Sequence, residues 1–404
     1  MDETSNPYAP GAGTRPPELA GRDVVLKSAK ISIQRVQGSR FAKSFIFIGL
    51  RGVGKTVLLN EVQRIAEDLG CKSIHIEAHD GKSLPELLAP GLRTLLLSLD
   101  TMAKATDATR RGLRVLKNFF GAVKIKIGEI DIGLGMPAEM GTADSGDLEA
   151  DLTALFLAVG DAAKSRDKTV VITIDELQYL SETELSALIM AVHAVAQKAL
   201  PVLLVGAGLP QLVGQMGASK SYAERLFNFH KIGPLEDVDA RAAIKEPATK
   251  EGVKYTKQAL DEIIRVTEGY PYFLQEWGFH AWNIAERSPI SEHDAQAATV
   301  GATTSLDSSF FRVRFDRLTP REKDYLRAMA ELGPGPHRSG DIADMLGVQV
   351  ESSAPLRSGL IRKGMIYSPQ HGDTAFTVPL FDQYMKRVMP DPPKKKTKLK
   401  SPSK

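Results

Sequence analysis

An α/β fold built on a parallel sheet is predicted by three observations. Short, almost wholly apolar runs recur at 45–48, 169–174 and 201–205, as expected of strands buried on both faces. Between them Leu84, Leu87, Leu88, Leu92, Leu95, Leu96 and Leu99 return at three- and four-residue spacing, the period of a packed helix. The composition, 43% apolar but only 6% aromatic over 404 residues, is that of an ordinary globular α/β protein of two or three domains.

The first strand, 45–48, runs into Gly49-Leu50-Arg51-Gly52-Val53-Gly54-Lys55-Thr56 and then into a helix beginning with Val57. Glycines at these places allow a tight loop whose amide hydrogens converge on an anion, and the helix adds the positive end of its dipole. Phosphate is the natural occupant. Lys55 supplies a cation toward the β- and γ-phosphates and Thr56 a hydroxyl for magnesium. The loop stands in its required context of strand, loop and helix, which makes the G-x-x-x-x-G-K-T pattern specific.

A second strand, 169–174, ends in Asp175-Glu176. Asp175 is placed to hold the magnesium through water, and Glu176 to polarise a water for cleavage of the γ-phosphate. Without the glycine loop, this would read as a buried strand closing on a solvated acidic turn. With it, ATP and Mg²⁺ are the expected ligands, and the paired carboxylates point to hydrolysis.

The remaining elements follow in order. Residues 6–13 carry Pro7 and Pro10 and read as extended chain. Arg22, beside Gly21 and ahead of the first helix, is a candidate for the adenine side of the site; a helix cap with a surface ion pair is the alternative. Residues 73–77 form a strand in which His75 alternates with isoleucines, and a helix runs on to Phe119 and Phe120. Alternation through 123–134 about Gly128-Glu129 predicts a hairpin, with Lys124 and Lys126 exposed toward DNA or a neighbouring subunit unless it only covers its own edge. Residues 148–163 and 184–198 are helical, and 201–208 is a core strand whose tip is Gly206-Ala207-Gly208. Residues 221–227 lead to a short strand at 229–232. Arg225 just before it is a candidate finger for a neighbour's γ-phosphate, a contact able to supply ~10³-fold or more in rate; an ion pair with Glu224 or Asp237 is the alternative.

From Asp237 the pattern turns helical at 240–248, 257–267, 272–286 and 292–306, a small lid. Pro271 suits a helix start, and the loop before it can lie against adenine. The last unit reads as helices at 320–331, 339–346 and 353–363 with strands at 365–368 and 375–378, the pattern of a winged helix-turn-helix. Its third helix would present Ser352, Ser353, Arg357, Arg362 and Lys363 to double-stranded DNA. The formal charge is only +3, but the basic excess lies from Phe311 onward and is densest in the tail Lys394 to Lys400, which can add salt-dependent phosphate contacts. One cysteine, Cys71, excludes an internal disulfide or a cysteine metal cluster. The lack of a long apolar run or a secretory leader predicts a cytoplasmic protein with no membrane partner.

Gly21-Arg22, the glycine loop, Asp175-Glu176, Gly206 to Pro210, Arg225, Gly269-Tyr270-Pro271 and the C-terminal unit together resemble AAA+ ATPases of the initiator, origin-recognition-like clade and the related signalling (STAND) ATPases. That resemblance implies a P-loop NTPase core with a five-stranded parallel sheet at 21–235, with an insertion at about 79–147. It further implies a helical lid at 236–310 and a winged helix at 311–390 that responds to nucleotide, flanked by an extended segment at 1–20 and a basic tail at 391–404. Two positions depart from it. The 201–208 strand tip lacks a polar γ-phosphate sensor, and 269–275 lacks the arginine that initiators place in the lid, so slow turnover is expected. The leading expectation is an ATP-driven molecular switch whose partner is DNA or another protein; the alternatives are an oligomeric DNA-remodelling helper of the transposition or replication type using Arg225 in trans, a nucleotide-gated protein-interaction module and, last, a phosphotransferase.

Overall fold

A computed structural model describes residues 1–100, 106–122 and 141–392 and divides the chain into two compact units. The hairpin expected at 123–134 and the basic tail from Lys394 lie outside the described residues.

The sheet unit comprises Arg22–Gly49 and Lys55–Ile232. Its strands are β1 (Ser44–Ile48), β2 (Lys72–Glu77), β3 (Val170–Asp175), β4 (Val202–Gly208) and β5 (Phe227–Lys231). All pair in parallel, in the order β2-β3-β4-β1-β5. Every residue of β1, β3 and β4 is buried, which is why these three read as unbroken apolar runs. The last strand starts at Phe227, two residues before the expected 229, because the 2% exposed Phe227 ring joins the core while its backbone pairs with Ser44.

Helices Asp23–Gln37, Lys55–Asp68, Leu84–Asp100, Asp107–Ala122, Leu148–Lys164 and Glu182–Gln197 enclose the sheet residues. The last begins with a full capping box, Ser181 and Glu184 each accepting from the other's backbone amide. Cys71 is buried where β2 is entered, and burial pushes its thiol up to about 11.

The helical unit comprises Met1–Gly21, Leu50–Gly54 and Gly233–Lys404. Helices Asp237–Lys250, Lys257–Thr267, Pro271–Ile284 and Glu292–Leu306 pack about Ile244, Ile263, Phe273, Leu274 and Trp277. The first twenty residues are not merely extended chain. Tyr8 is 4% exposed in this core, and its hydroxyl donates to the Ile244 carbonyl at 2.5 Å. A Cβ at position 278 would lie 2.7 Å from the Tyr8 ring, so glycine there lets the segment seat on helix Pro271–Ile284. Asn6 Nδ2 donates to Phe279 O and Asn283 Oδ1, and Trp282 Nε1 donates to Asp2 O.

Beyond residue 315 come helices Pro320–Leu332, Ser339–Leu346 and Val350–Arg362 and an antiparallel sheet of β6 (His337–Arg338), β7 (Ile366–Tyr367) and β8 (Asp373–Phe376) in the order β6-β8-β7. A further helix, Phe381–Val388, buries Phe381, Tyr384 and Met385. The helix expected at 353–363 begins three residues earlier, and of the expected DNA-facing set Ser353 and Arg357 are turned inward while Ser352, Arg362 and Lys363 are exposed. Ser353 is buried and donates to Val350 O. Arg357 is spent on Thr374 Oγ1, Ser368 Oγ and Asp373 O, tying the helix to the ribbon. Lys363 Nζ donates to Glu322 Oε2 at 2.7 Å and to Arg317 O. Among the described residues no helix is long and apolar enough to cross a membrane.

The chain has two tryptophans, Trp277 and Trp282, both in helix Pro271–Ile284, so intrinsic fluorescence reports on the helical unit. Tyr8→Ala is expected to lower the urea midpoint of the tryptophan transition by about 3 kcal/mol of stability, the cost of emptying a buried aromatic site. Tyr8→Phe, which loses only the hydroxyl bond, should cost about 1 kcal/mol.

Candidate functional site

Because β4 is inserted between β1 and β3, the carboxyl ends of these three strands lie side by side, with Ile48 paired to Gly208 and Ile174 to Gly206. The loop after β1 turns at Gly52 and Gly54, whose φ values of +82° and +90° fall in the left-handed region that glycine adopts without strain. Lys55 opens helix Lys55–Asp68 with its side chain 6% exposed, and its Nζ donates to the Gly49 carbonyl at 3.0 Å. The ammonium is thereby held against the loop that it follows.

Thr56 Oγ1 donates to Asp175 Oδ2 at 2.6 Å, closing the gap between the helix after β1 and the end of β3. Asp175 is 3% exposed, and the Glu176 amide donates to its other oxygen at 2.7 Å. Burial holds the Asp175 carboxyl above the usual aspartate range, and the neighbouring Glu176 charge pushes the same way; the Thr56 bond and the Lys55 charge pull against them. A hydroxyl and a carboxylate meeting in this way are hard oxygen donors of the kind magnesium takes, and a glycine loop opening a helix fits a polyphosphate. The residues present therefore fit both Mg²⁺ and a nucleoside triphosphate.

Glu176 follows in the left-handed region, at φ 55° and ψ 37°, which turns the chain sharply off β3 into the 3-10 turn Leu177–Tyr179. Gln178 in that turn donates through Nε2 to Glu176 Oε2, while its Oε1 accepts from the Leu209 amide at 3.0 Å. Nothing in the sequence reading singled out Gln178. The only signal was the absence of a polar side chain at the β4 tip, and the structure accounts for that absence. A Cβ at Gly206 would lie 2.3 Å from Leu177 Cδ1, and one at Gly208 would lie 2.7 Å from Leu212 Cδ2 and 3.0 Å from Gln178 Oε1.

The other sequence candidates are placed as follows. Val53 is buried, and Leu50, Arg51 and Val57 are half-buried. Within the helical unit, the Arg51 amide donates to the Thr377 carbonyl at 3.0 Å, and the Gly52 carbonyl accepts from the Tyr272 amide at 3.1 Å. Pro271 is the first residue of its helix. The Gly269-Tyr270-Pro271 turn has a structural cause of its own, since the Gly269 carbonyl accepts from Leu235 N and a Cβ at Gly269 would lie 2.6 Å from Leu235 O. Arg22 is half-buried and precedes helix Asp23–Gln37 without capping it through its side chain. Arg225 is exposed in the short helix Ala223–Leu226, and among the described residues it has no ion pair with Glu224.

Comparison with known proteins agrees with this geometry. Residues 18–205 match the family model for an AAA ATPase domain, and residues 308–385 match a domain of unknown function (DUF8462). An uncharacterised HTH-type transcriptional regulator of Methanocaldococcus jannaschii is 23% identical over 340 residues, covering 81% of this chain and 79% of the relative. A Walker-type ATPase of Pyrococcus abyssi superposes with a TM-score of 0.59 at 16% identity, over 92% of this chain and 97% of that one. The ORC1 protein of Aeropyrum pernix, solved in complex with DNA, gives 0.48 at 16% identity over 92% and 94%. The segment 18–205, which holds the glycine loop and most of the parallel sheet, is thus similar to AAA ATPase domains, and the sheet unit has the fold of the P-loop class.

Proposed function

We propose that the chain is an ATP-driven molecular switch that binds Mg-ATP on the loop Gly49 to Val57 and hydrolyses it slowly. The observation that carries this reading is the 2.6 Å bond from Thr56 to Asp175 beside the buried Lys55. In this assignment the amides of the loop and Lys55 receive the β- and γ-phosphates, and Thr56 and Asp175 hold the metal. Bound there, magnesium neutralises charge that develops on the phosphate oxygens. Glu176 orients and deprotonates the attacking water. Slow turnover is supported by the crowding at Gly206 and Gly208, which leaves the β4 tip no room for a polar side chain of its own.

The switch reading is supported by the contacts of the loop's outer groups. Arg51 N–H and Gly52 C=O are engaged by Thr377 and Tyr272, so a loop that re-forms around phosphate loads those two bonds. A ligand shifts such an equilibrium only through differential contacts, and these bonds are candidates for them. We take 21–235 as the ATPase core, 236–310 as a lid and 311–390 as a winged helix, with 1–20 and 391–404 as flanking segments. Double-stranded DNA is the proposed partner. It is supported by the name of the M. jannaschii relative and by the exposed Ser352 and Arg362 on helix Val350–Arg362, with Lys394 to Lys400 adding phosphate contacts. A second reading, a homo-oligomer in which Arg225 reaches a neighbour's nucleotide, is favoured by the exposure of that side chain.

Three outcomes are expected. Lys55→Ala should weaken Mg-ATP binding by at least about 10-fold, whereas Glu176→Gln should bind ATP normally and lose ~10²-fold or more in turnover, both read by calorimetry and phosphate release. If Lys55→Ala retains ATP as well as wild type does, the assignment is wrong.

The second outcome concerns pH. A protonated Asp175 cannot ligate a cation, so magnesium-dependent ATP binding should fail as pH drops through its raised value, earlier than for an exposed aspartate. By the same sign, the buried charge costs folded stability at neutral pH and that cost disappears on acidification. Asp175→Asn should therefore melt at a higher temperature than wild type without ligand while losing magnesium dependence.

Third, duplex DNA should stimulate ATPase activity in a salt-sensitive manner, and Arg362→Ala should reduce the stimulation. An Arg225→Ala protein that sediments and turns over like wild type would eliminate the oligomeric reading.

A further inference from the structure

The Gly208–Leu209 peptide group has both of its polar ends engaged. Its carbonyl accepts from the amide of Gly49, the first residue of the phosphate loop, at 3.2 Å. Its N–H donates to Gln178 Oε1 at 3.0 Å. The other end of the Gln178 carboxamide donates to Glu176 Oε2, and Lys55 Nζ in turn lies on the Gly49 carbonyl at 3.0 Å. Four hydrogen bonds, joined through the backbone of Gly49, the Gly208–Leu209 peptide and the Gln178 carboxamide, thus link Lys55 to the Glu176 carboxylate. Glycine at 208 keeps this link open, since any larger residue would press its Cβ to 3.0 Å from Gln178 Oε1.

Only a carboxamide of this length fits. It must present an acceptor to Leu209 and a donor to Glu176 at once, and among uncharged side chains glutamine alone combines that reach with both functions. We propose that Gln178 is the positioning residue for Glu176 and that, through the Gly208–Leu209 peptide, it ties the orientation of that carboxylate to the state of the phosphate loop. A carboxylate in hydrogen-bond reach of water is effective only when aimed, so losing its holder reduces the chemical step and leaves ATP binding intact.

This rests on the assignment of Glu176 as the base, and the test separates the two. Steady-state ATPase kinetics and ATP affinity are measured for wild type, Glu176→Gln, Gln178→Leu, Gln178→Glu and the Glu176→Gln/Gln178→Leu double variant. Gln178→Glu keeps length and acceptor but replaces the donor with a charge that repels Glu176. Both single Gln178 variants should lose about 10-fold or more in kcat, with KM and ATP affinity within about 3-fold of wild type. In the Glu176→Gln background the Gln178→Leu change should cost nothing further, a non-additivity that a merely structural role does not produce. Gln178→Leu with wild-type kcat, or with KM and affinity degraded in parallel with kcat, overturns the role of Gln178 alone. Undiminished kcat in Glu176→Gln overturns the base assignment and this inference with it.

Discussion

The bond between Thr56 and Asp175 joins residues 119 apart in the chain, and the arrangement of the sheet unit is what makes it possible. A threonine in the first turn of a helix reaches the last residue of β3 only if both strands end at the same level. Parallel pairing through β4 enforces that level, with Ile48 set against Gly208 and Ile174 against Gly206. Burying Asp175 at 3% exposure is unfavourable by itself, and the Thr56 hydroxyl, the Glu176 amide and the Lys55 charge offset part of that cost. The remainder shows in the raised pKa of the carboxyl, and in the proposed assignment a bound magnesium would offset it.

The same constraint explains the composition of β4. Its tip passes between the ends of β1 and β3, and Leu177, Ile46 and Leu212 already occupy the space where side chains at 206 and 208 would stand. The polar contacts at this tip are made by its backbone, the Gly208 carbonyl accepting from Gly49 and the Leu209 amide donating to Gln178.

Much of the fold was legible because its signals are local. The phosphate loop is a contiguous pattern, the strands β1, β3 and β4 announce themselves as apolar runs, and the helices Lys257–Thr267 and Glu292–Leu306 have the predicted bounds, the first with Thr256 as N-cap and the second with a Ser291/Asp294 capping box. What failed to show was non-local. Tyr8 sits in a stretch with no periodicity, and its burial depends on a glycine 270 positions later in helix Pro271–Ile284. The facing of Ser353 and Arg357 is set by the partners of the helix, with Ser353 1% exposed in the core and Arg357 bonded to Thr374, Ser368 and Asp373 of the ribbon, none of them adjacent in sequence. Gln178 was invisible for a related reason, since its two partners come from different segments and its meaning depends on what β4 lacks.

The burial of Cys71 has a practical consequence. A lone thiol, 7% exposed and reluctant to ionise, hardly reacts with maleimides at neutral pH, so the natural chain is already a quiet background for cysteine chemistry. Dyes or spin labels attached at engineered surface cysteines, one in each unit, would report distances without first removing a native side chain from the core.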